Sequence, residues 1–328
     1  MIKIKSPTRV DLAGGTLDLW PLYAFVGGGK TVNLAIDLWT EVEIKEASGV
    51  HIESLDLKKR WEFKNLNQMT QDTDPDLNFY REIFRFEFSE LSNFSIKTSS
   101  QSPVGGGIGG SSSLLISTLK ALHQWSKKPL PPVHDLVHWA HNIEARMIGT
   151  PTGIQDYYPA VTGGLNILTF QDKNVAIETL NVDGSILKSH FLLVSTGKSH
   201  HSGINNFDVL TRAVHRDATV LKALRQIQDV AERTAAACRK GNWQALPGLF
   251  QEEYQARILL TPKFSSPEIE RLHNMAIKNG AGAVKICGAG GGGCVLVWVE
   301  PSAREKVKTV CQEAGFQVLG ASPVSPLK

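Results

Sequence analysis

Cysteine is scarce in this chain. The 328 residues contain four, Cys238, Cys287, Cys294 and Cys311, irregularly spaced and with no Cys-x-x-Cys among them. That is too few for a disulfide scaffold and the wrong spacing for a thiolate metal site. Long apolar runs are missing too. No stretch reaches the about 18 consecutive apolar residues that a membrane-spanning helix needs. The opening residues, Met1-Ile-Lys-Ile-Lys-Ser-Pro-Thr-Arg9, contain no apolar core of a secretory signal. The reading at this point is a soluble, cytoplasmic protein. An excess of one charge is also lacking: 35 basic residues face 32 acidic ones, a net +3, with the Lys and Arg scattered. A nucleic-acid or membrane-surface protein would carry a basic block, so neither partner is expected. The remainder, 42% hydrophobic and 20% charged, is ordinary globular composition. A single core stops growing near roughly 250–300 residues, so two lobes sharing a cleft are expected.

Glycine is plentiful and clustered. One group is Ala13-Gly14-Gly15 with Gly27-Gly28-Gly29 nearby, a second runs from Gly105 to Gly110, and a third from Gly288 to Gly293. Between them the pattern is mixed α and β. Residues 2–5 and 31–46 read as strands, the second because Val32, Leu34, Ile36 and Leu38 alternate. Phe94 to Thr98 is a further strand. Residues 111–126 place Leu114, Leu115, Thr118, Leu119 and Leu122 on one helical face. Leu136 to Met147 is a helix starting near His134 or Asp135. Phe191 to Ser195 is a short buried strand, and Arg212 to Arg239 one long helical stretch that stops at Lys240-Gly241. Helices at 267–279 and 302–314 bracket strands at 283–287 and 294–299. The turn Asn181-Val-Asp-Gly184 marks the expected lobe boundary, giving lobes 1–184 and 185–328.

Three phosphate-loop patterns compete for the glycines. Gly29-Lys30-Thr31 resembles the end of a P-loop, but position 24 is Ala24 rather than Gly, and a strand instead of a helix follows. The segment Gly105-Gly-Gly-Ile-Gly-Gly110 satisfies the dinucleotide pattern G-x-G-x-x-G, yet the acid that would hold a ribose about 20 positions on is missing. The segment Gly288-Ala-Gly-Gly-Gly-Gly293 satisfies it too, but runs into a strand. A simpler reading of Gly105 to Ser113 is a glycine loop entering a helix N-terminus. Such a loop offers backbone N–H groups and the positive end of the helix dipole to an anion, with Ser111, Ser112 and Ser113 adding hydroxyls.

Pro103-Val-Gly-Gly-Gly-Ile-Gly-Gly-Ser-Ser-Ser113 resembles the second motif of the GHMP kinases (galactokinase, homoserine kinase, mevalonate kinase, phosphomevalonate kinase). Arg9-Val-Asp-Leu-Ala-Gly-Gly-Thr-Leu-Asp18 is similar to their first motif, and Lys285-Ile-Cys-Gly-Ala-Gly-Gly-Gly-Gly-Cys294 to their third. Glu144 followed by Gly149-Thr-Pro-Thr-Gly-Ile-Gln-Asp156 matches the stretch that carries a Mg²⁺ ligand and a catalytic aspartate. Within the family the likeness leans toward kinases of D-glycero-D-manno-heptose 7-phosphate. The Ala-Gly-Gly of the first motif, Gln155-Asp156 before Gly163-Gly164-Leu-Asn166, and Ser195-Thr-Gly-Lys-Ser199 all point that way, while the first motif also resembles fucose-type kinases. Tyr157-Tyr158 departs from the pattern, standing where the heptose kinases continue Gln-Tyr.

The resemblance implies a two-lobed α+β fold, the first lobe like domain 2 of ribosomal protein S5 and the second ferredoxin-like. It implies ATP and Mg²⁺ as cofactors and a sugar or sugar phosphate as acceptor, phosphorylated at a hydroxyl, with the anomeric one favoured. Asp156 would be the base and Arg9 the stabiliser of the transferred phosphoryl group. Pro103, Gly105, Gly107, Gly109, Gly110, Ser111, Ser112 and Ser113 would hold ATP, and Ser112 and Glu144 the metal. Asp18, Gly14, Gly15, Gly288, Ala289, Gly290 and Gly291 would line the acceptor site. A mevalonate-type kinase and a non-catalytic binding protein of the same fold are the alternatives, and a homodimer is compatible with the family. Three smaller readings accompany these. Cys287 and Cys294 are taken as inert. His134, His138 and His141 share one helix face, read as packed or solvated rather than as a zinc site. Lys198 with His200 and His201 is either a receiver for a second substrate phosphate or a plain surface loop.

Overall fold

The computed structural model describes residues 1–171, 174–199 and 202–327, the side chains of 202–205 excepted. Seven strands form the first sheet: β1 (Ile2–Ala13), β2 (Gly29–Glu46), β3 (Val50–Ser54), β4 (Lys59–Phe63), β5 (Phe94–Ser100), β6 (Leu165–Gln171) and β7 (Asn174–Leu180). Their order is β4-β3-β5-β2-β6-β7, with β1 along the other edge of β2. Only β3 and β5 pair in parallel; the remaining pairs are antiparallel. The 18-residue β2 organises the sheet, because β6 pairs with its first part and β5 with its last. Its sequence changes character along the way. Val42 and Ile44 alternate with half-buried polar residues, whereas Gly29 to Ile36 are buried on both faces. On the first lobe's own side, Val42, Ile44, Phe94 and Ile96 pack on α3 (Gly110–Trp125) and α4 (Val133–Ile148), following α1 (Leu66–Gln71) and α2 (Asn78–Phe86) in the chain. The short α5 (Tyr157–Thr162) joins the same core through Tyr157 and Tyr158.

After β7 come α6 (Gly184–His190), β8 (Phe191–Ser195), α7 (Ser202–Val214), α8 (Ala218–Arg239), α9 (Leu246–Leu260) and α10 (Pro267–Lys278). The chain then builds β9 (Ala281–Ile286), β10 (Cys294–Val299), α11 (Arg304–Glu313) and β11 (Gln317–Leu319). The second sheet is antiparallel throughout, in the order β11-β8-β10-β9. The lobes are not independent. Val32, Leu34 and Ile36 of β2 share one core with Val230, Ala231 and Ala235 of α8 and with Leu296 and Trp298 of β10. That shared core explains the doubly buried half of β2. The C-terminal tail also returns to the first sheet, with the amide of Leu327 donating to the Thr162 carbonyl at 2.7 Å and that of Gly164 to Val324 at 3.0 Å.

Two expectations from the sequence change. The first strand does not stop at Lys5 but runs to Ala13. Pro7, which lacks an N–H, is tolerated because β1 is an edge strand, and the register shifts between Pro7 and Thr8. The stretch from Arg212 to Arg239 is two helices. Arg216 adopts φ 60°, and Asp217 caps α8 by accepting from the amides of Thr219 and Val220. The lone strand reading at Thr31 holds: Gly29-Lys30-Thr31 enters β2 and not a helix, so no P-loop exists there.

Candidate active site

A cleft of about 440 Å³ is lined by residues of all three glycine-rich motifs. Its floor is the loop into α3. Gly105, Gly107 and Gly109 have φ of 64°, 68° and 71°, conformations that a side chain would strain. Gly109 occupies the N-cap position of α3, no side chain caps the helix, and the first turn carries no acid. The helix N-terminus is therefore available to an anion. Close approach explains other glycines. A Cβ on Gly110 would lie 2.7 Å from Ser102 Oγ, and one on Gly288 would lie 2.9 Å from the Cα of Gly107. The second and third motifs thus touch backbone to backbone, tied by the Cys294 amide donating to Gly106 O at 2.7 Å.

Arg9 and Asp156 meet at this loop. Arg9 Nε and Nη2 both donate to Asp156 Oδ1, at 2.9 and 2.6 Å, and Nη1 donates to Gly107 O at 2.7 Å. The guanidinium is buried while Asp156 keeps about a quarter of its side chain accessible, 26%. Burial opposes the charge on Arg9, but Asp156 and Asp11 outweigh it and hold its pKa above the ordinary value. Beside them lies Asp18. The turn through Gly153 presses on it, and Gln155 donates its backbone N–H to Asp18 Oδ2 at 3.1 Å and its side-chain amide to Oδ1 at 3.4 Å. Burial, and then the nearby Asp156 charge, push Asp18 up to about 6.

Ser112 and Glu144 also converge. Ser112 Oγ donates to Glu144 Oε2 at 2.8 Å, joining the first turn of α3 to the last part of α4. Both line the cleft. Two hard oxygens side by side at an anion-binding helix end fit a Mg²⁺ ion, which takes most of its remaining ligands from water and phosphate. The Tyr157 hydroxyl donates to the same Oε2 from behind. Burial and then the Glu144 charge push this phenol well above its usual range.

The other residues named from the sequence divide between the cleft and its surroundings. Pro103, Gly105, Gly107, Gly109, Gly110, Ser111 and Ser112 line the cleft, as do Gly15, Gly288 and Ala289. Ser113 does not: it is fully buried, bonded to Ser6 O and Thr40 Oγ1, and anchors α3 to β1 and β2. Nor does Gly14, whose amide donates to Glu253 Oε2 at 3.3 Å and whose absent side chain makes room for Lys30 O. Gly290 and Gly291 pack on Phe264, the Gly291 amide donating to its carbonyl at 2.8 Å. Lys198 pairs with Glu268 at 2.9 Å, and His200 and His201 fall outside the described residues. His134 bonds Tyr158 OH at 3.1 Å and His141 bonds Thr152 O at 2.9 Å. No cluster of three or more His, Cys, Asp or Glu suited to a metal occurs among the described residues. Burial pushes Cys287 up to about 11 and Cys294 up to about 12, so neither is a ready thiolate.

The sequence reading missed a buried charge cluster that ties the motifs together. Asp11 of β1 lies 3.3 Å from Arg257 Nη1 and 3.2 Å from Lys285 Nζ, and Lys285 lies 3.2 Å from Glu253 Oε1. Arg257 Nη2 also donates to Thr16 Oγ1 at 3.2 Å and to Gly288 O at 2.8 Å, so one α9 side chain fixes the first and third motifs. Burial raises the pKa of Glu253, against the pull of Lys285 and Arg257. The Lys of the third motif was visible in the sequence; its partners on α9 carried no motif. The far end of the cleft was also missed. Tyr80, Phe79, Leu114 and Met147 line it together with Asp56, which accepts from the Ser100 amide at 3.0 Å.

Family models agree with this arrangement. The model described as "GHMP kinases N terminal domain" matches residues 77–164, and the one described as "GHMP kinases C terminal" matches residues 234–317, together a little over half of the chain. The protein belongs to the GHMP kinase family, phosphotransferases with an alcohol group as acceptor. Among its relatives is the D-glycero-alpha-D-manno-heptose 7-phosphate kinase of Campylobacter jejuni, 26% identical over 324 residues, covering 96% of this chain and 94% of that protein. A mevalonate kinase of Methanocaldococcus jannaschii is 23% identical over 330 residues, covering 94% and 96%. In three dimensions the chain is similar to a D-glycero-D-manno-heptose 1-phosphate kinase from Bacteroides thetaiotaomicron. The TM-score is 0.77 at 25% identity, over 99% of this chain and 97% of the other. No described helix is long and apolar enough to cross a membrane.

Proposed function

We propose that this kinase transfers the γ-phosphoryl group of ATP to a sugar phosphate of the heptose 7-phosphate class, at its anomeric hydroxyl. The observation that carries the reading is the acidic, polar acceptor wall: Asp18 and Asp156 face the cleft next to Gln155, with Arg9 clamping Asp156 to the glycine loop. Carboxylates accept hydrogen bonds from the several hydroxyls of a sugar. The similarity to heptose phosphate kinases supports the same substrate class.

In this reading residues 1–184 form the nucleotide-binding lobe and 185–328 supply the opposite wall. The α3 N-terminus and the backbone of Gly105 to Ser112 bind the ATP phosphates. Ser112 and Glu144 hold Mg²⁺, which when bound neutralises charge on the phosphates. Asp156 accepts the proton of the acceptor hydroxyl through the carboxylate that Arg9 orients, and the Arg9 charge faces the phosphoryl group in transit. Asp18 orients the acceptor by its hydroxyls. The test is ADP release across a panel of sugars, sugar phosphates and mevalonate, with the product's new phosphate located by phosphorus NMR. Turnover of a heptose 7-phosphate to an anomeric phosphate is expected. Turnover of mevalonate with none of the sugars would overturn the reading.

A further inference from the structure

Behind the cleft wall lies Tyr157, outside the three glycine-rich motifs. It is the first residue of α5, directly after Asp156, is completely buried, and does not line the cleft. Its hydroxyl donates to Glu144 Oε2, the oxygen that also accepts from Ser112 Oγ at 2.8 Å. The ring is itself held: the His141 ring meets it edge-on, with centroids 6.2 Å apart and planes at 87°, and His141 Nε2 bonds Thr152 O at 2.9 Å. A free glutamate side chain rotates about three bonds, and ordering it costs free energy. Here the phenol removes that freedom from the side opposite the cleft.

We infer that Tyr157 is a positioning residue for the metal site, its phenol hydrogen bond fixing the Glu144 carboxylate so that it meets a divalent cation already oriented. The inference rests on Glu144 acting as a metal ligand. Outer hydrogen bonds of this kind set ligand orientation and are worth about 10–100-fold in metal affinity. They act on the metal and not on the nucleotide itself. Because Asp156 and Tyr157 are consecutive, one turn also sets both the proton acceptor and the orientation of the metal carboxylate.

The test uses the full-length chain and Mn²⁺ as probe, in the presence of a non-hydrolysable ATP analogue. Bound Mn²⁺ is counted by electron paramagnetic resonance, so that no acceptor is needed. Tyr157→Phe is expected to weaken Mn²⁺ binding by about 10-fold or more, while metal-free nucleotide affinity, measured in chelator, stays within twofold. Tyr157→Gln, which restores a donor but not the ring, is expected to recover most of the loss. A structural role alone predicts the opposite order, because glutamine disturbs the packing more than phenylalanine does. Mn²⁺ affinity within twofold of the parent in Tyr157→Phe would overturn the inference. If that variant does not fold, equal or weaker Mn²⁺ binding by Tyr157→Gln than by a Glu144→Gln control would overturn it. Failure of the parent to bind Mn²⁺ with nucleotide would instead overturn the proposed assignment of Ser112 and Glu144 to the metal.

Discussion

Gly153 and Asp18 are in direct opposition across the acceptor wall: a Cβ on residue 153 would sit 2.0 Å from Asp18 Oδ2. The turn that delivers Gln155 and Asp156 therefore reaches the cleft only because position 153 has no side chain. Gly153→Ala should displace either Asp18 or the turn. Misplacement near 1 Å can cost about 10²-fold, so kcat/KM for the acceptor is expected to fall by that order. The KM for ATP, which in the proposed function binds at the α3 N-terminus, should stay within about twofold; steady-state kinetics with each substrate varied checks both.

Asp18 also gives the site a pH signature. Its pKa rises from 3.8 unfolded to about 6 folded, by burial first and by Asp156 second. The folded chain keeps this proton where the unfolded chain has lost it, so stability from this group declines as pH rises from about 4 to about 6 and then levels. Asp18→Asn removes that slope. The unfolding free energy of Asp18→Asn relative to the parent should grow across the same window, as read from urea titrations at several pH values. In the parent, kcat/KM for the acceptor should climb as Asp18 ionises near pH 6, and the variant should lack that limb.

Asp156→Asn keeps the shape while removing the proton acceptor and the charge that pairs with Arg9. A positioned base contributes about 10²–10⁴-fold, so single-turnover rates are expected to fall within that range with ATP affinity nearly unchanged. A rate within twofold of the parent would reassign Asp156 as an acceptor ligand, leaving the chemistry to Arg9 and the metal.

Ser112→Ala and Glu144→Ala each remove one side of the 2.8 Å oxygen pair. Both should raise the Mg²⁺ concentration giving half-maximal activity by about 10–100-fold, and leave acceptor binding to the metal-free enzyme intact. Parent-like turnover at limiting Mg²⁺ would remove that residue from the metal site.

The cluster of Asp11, Glu253, Arg257 and Lys285 should matter for stability. All four side chains are at most 2% exposed. Lys285→Met leaves two buried carboxylates facing one Arg, an arrangement that costs about 3–5 kcal/mol. Chemical unfolding should show a midpoint drop with an unchanged slope, and adding Glu253→Gln to Lys285→Met should recover part of it.

The sequence by itself determined the family and many of the residues that meet in the cleft, because those depend on local constraints. Glycines at 105, 107 and 109 announce positive φ before a helix, the serines announce its N-terminus, and Arg9, Asp18, Glu144 and Asp156 stand at fixed places in motifs. The alternation from Val32 to Leu38 announced β2. What lies outside such patterns stayed hidden. The break at Arg216 is a single backbone conformation inside a continuous helical periodicity, so one helix was expected where two form. Ser113 reads like its neighbours Ser111 and Ser112, yet one helical step turns it away from the cleft to Ser6 and Thr40. Only the tertiary structure decided which charges meet: Arg257 and Asp11 are 246 positions apart, and Lys285 and Asp11 are 274. Local spacing cannot encode a contact closed over such a loop. It exists because the two lobes share a core, and a charge buried in that core must find its partner wherever the fold brings one.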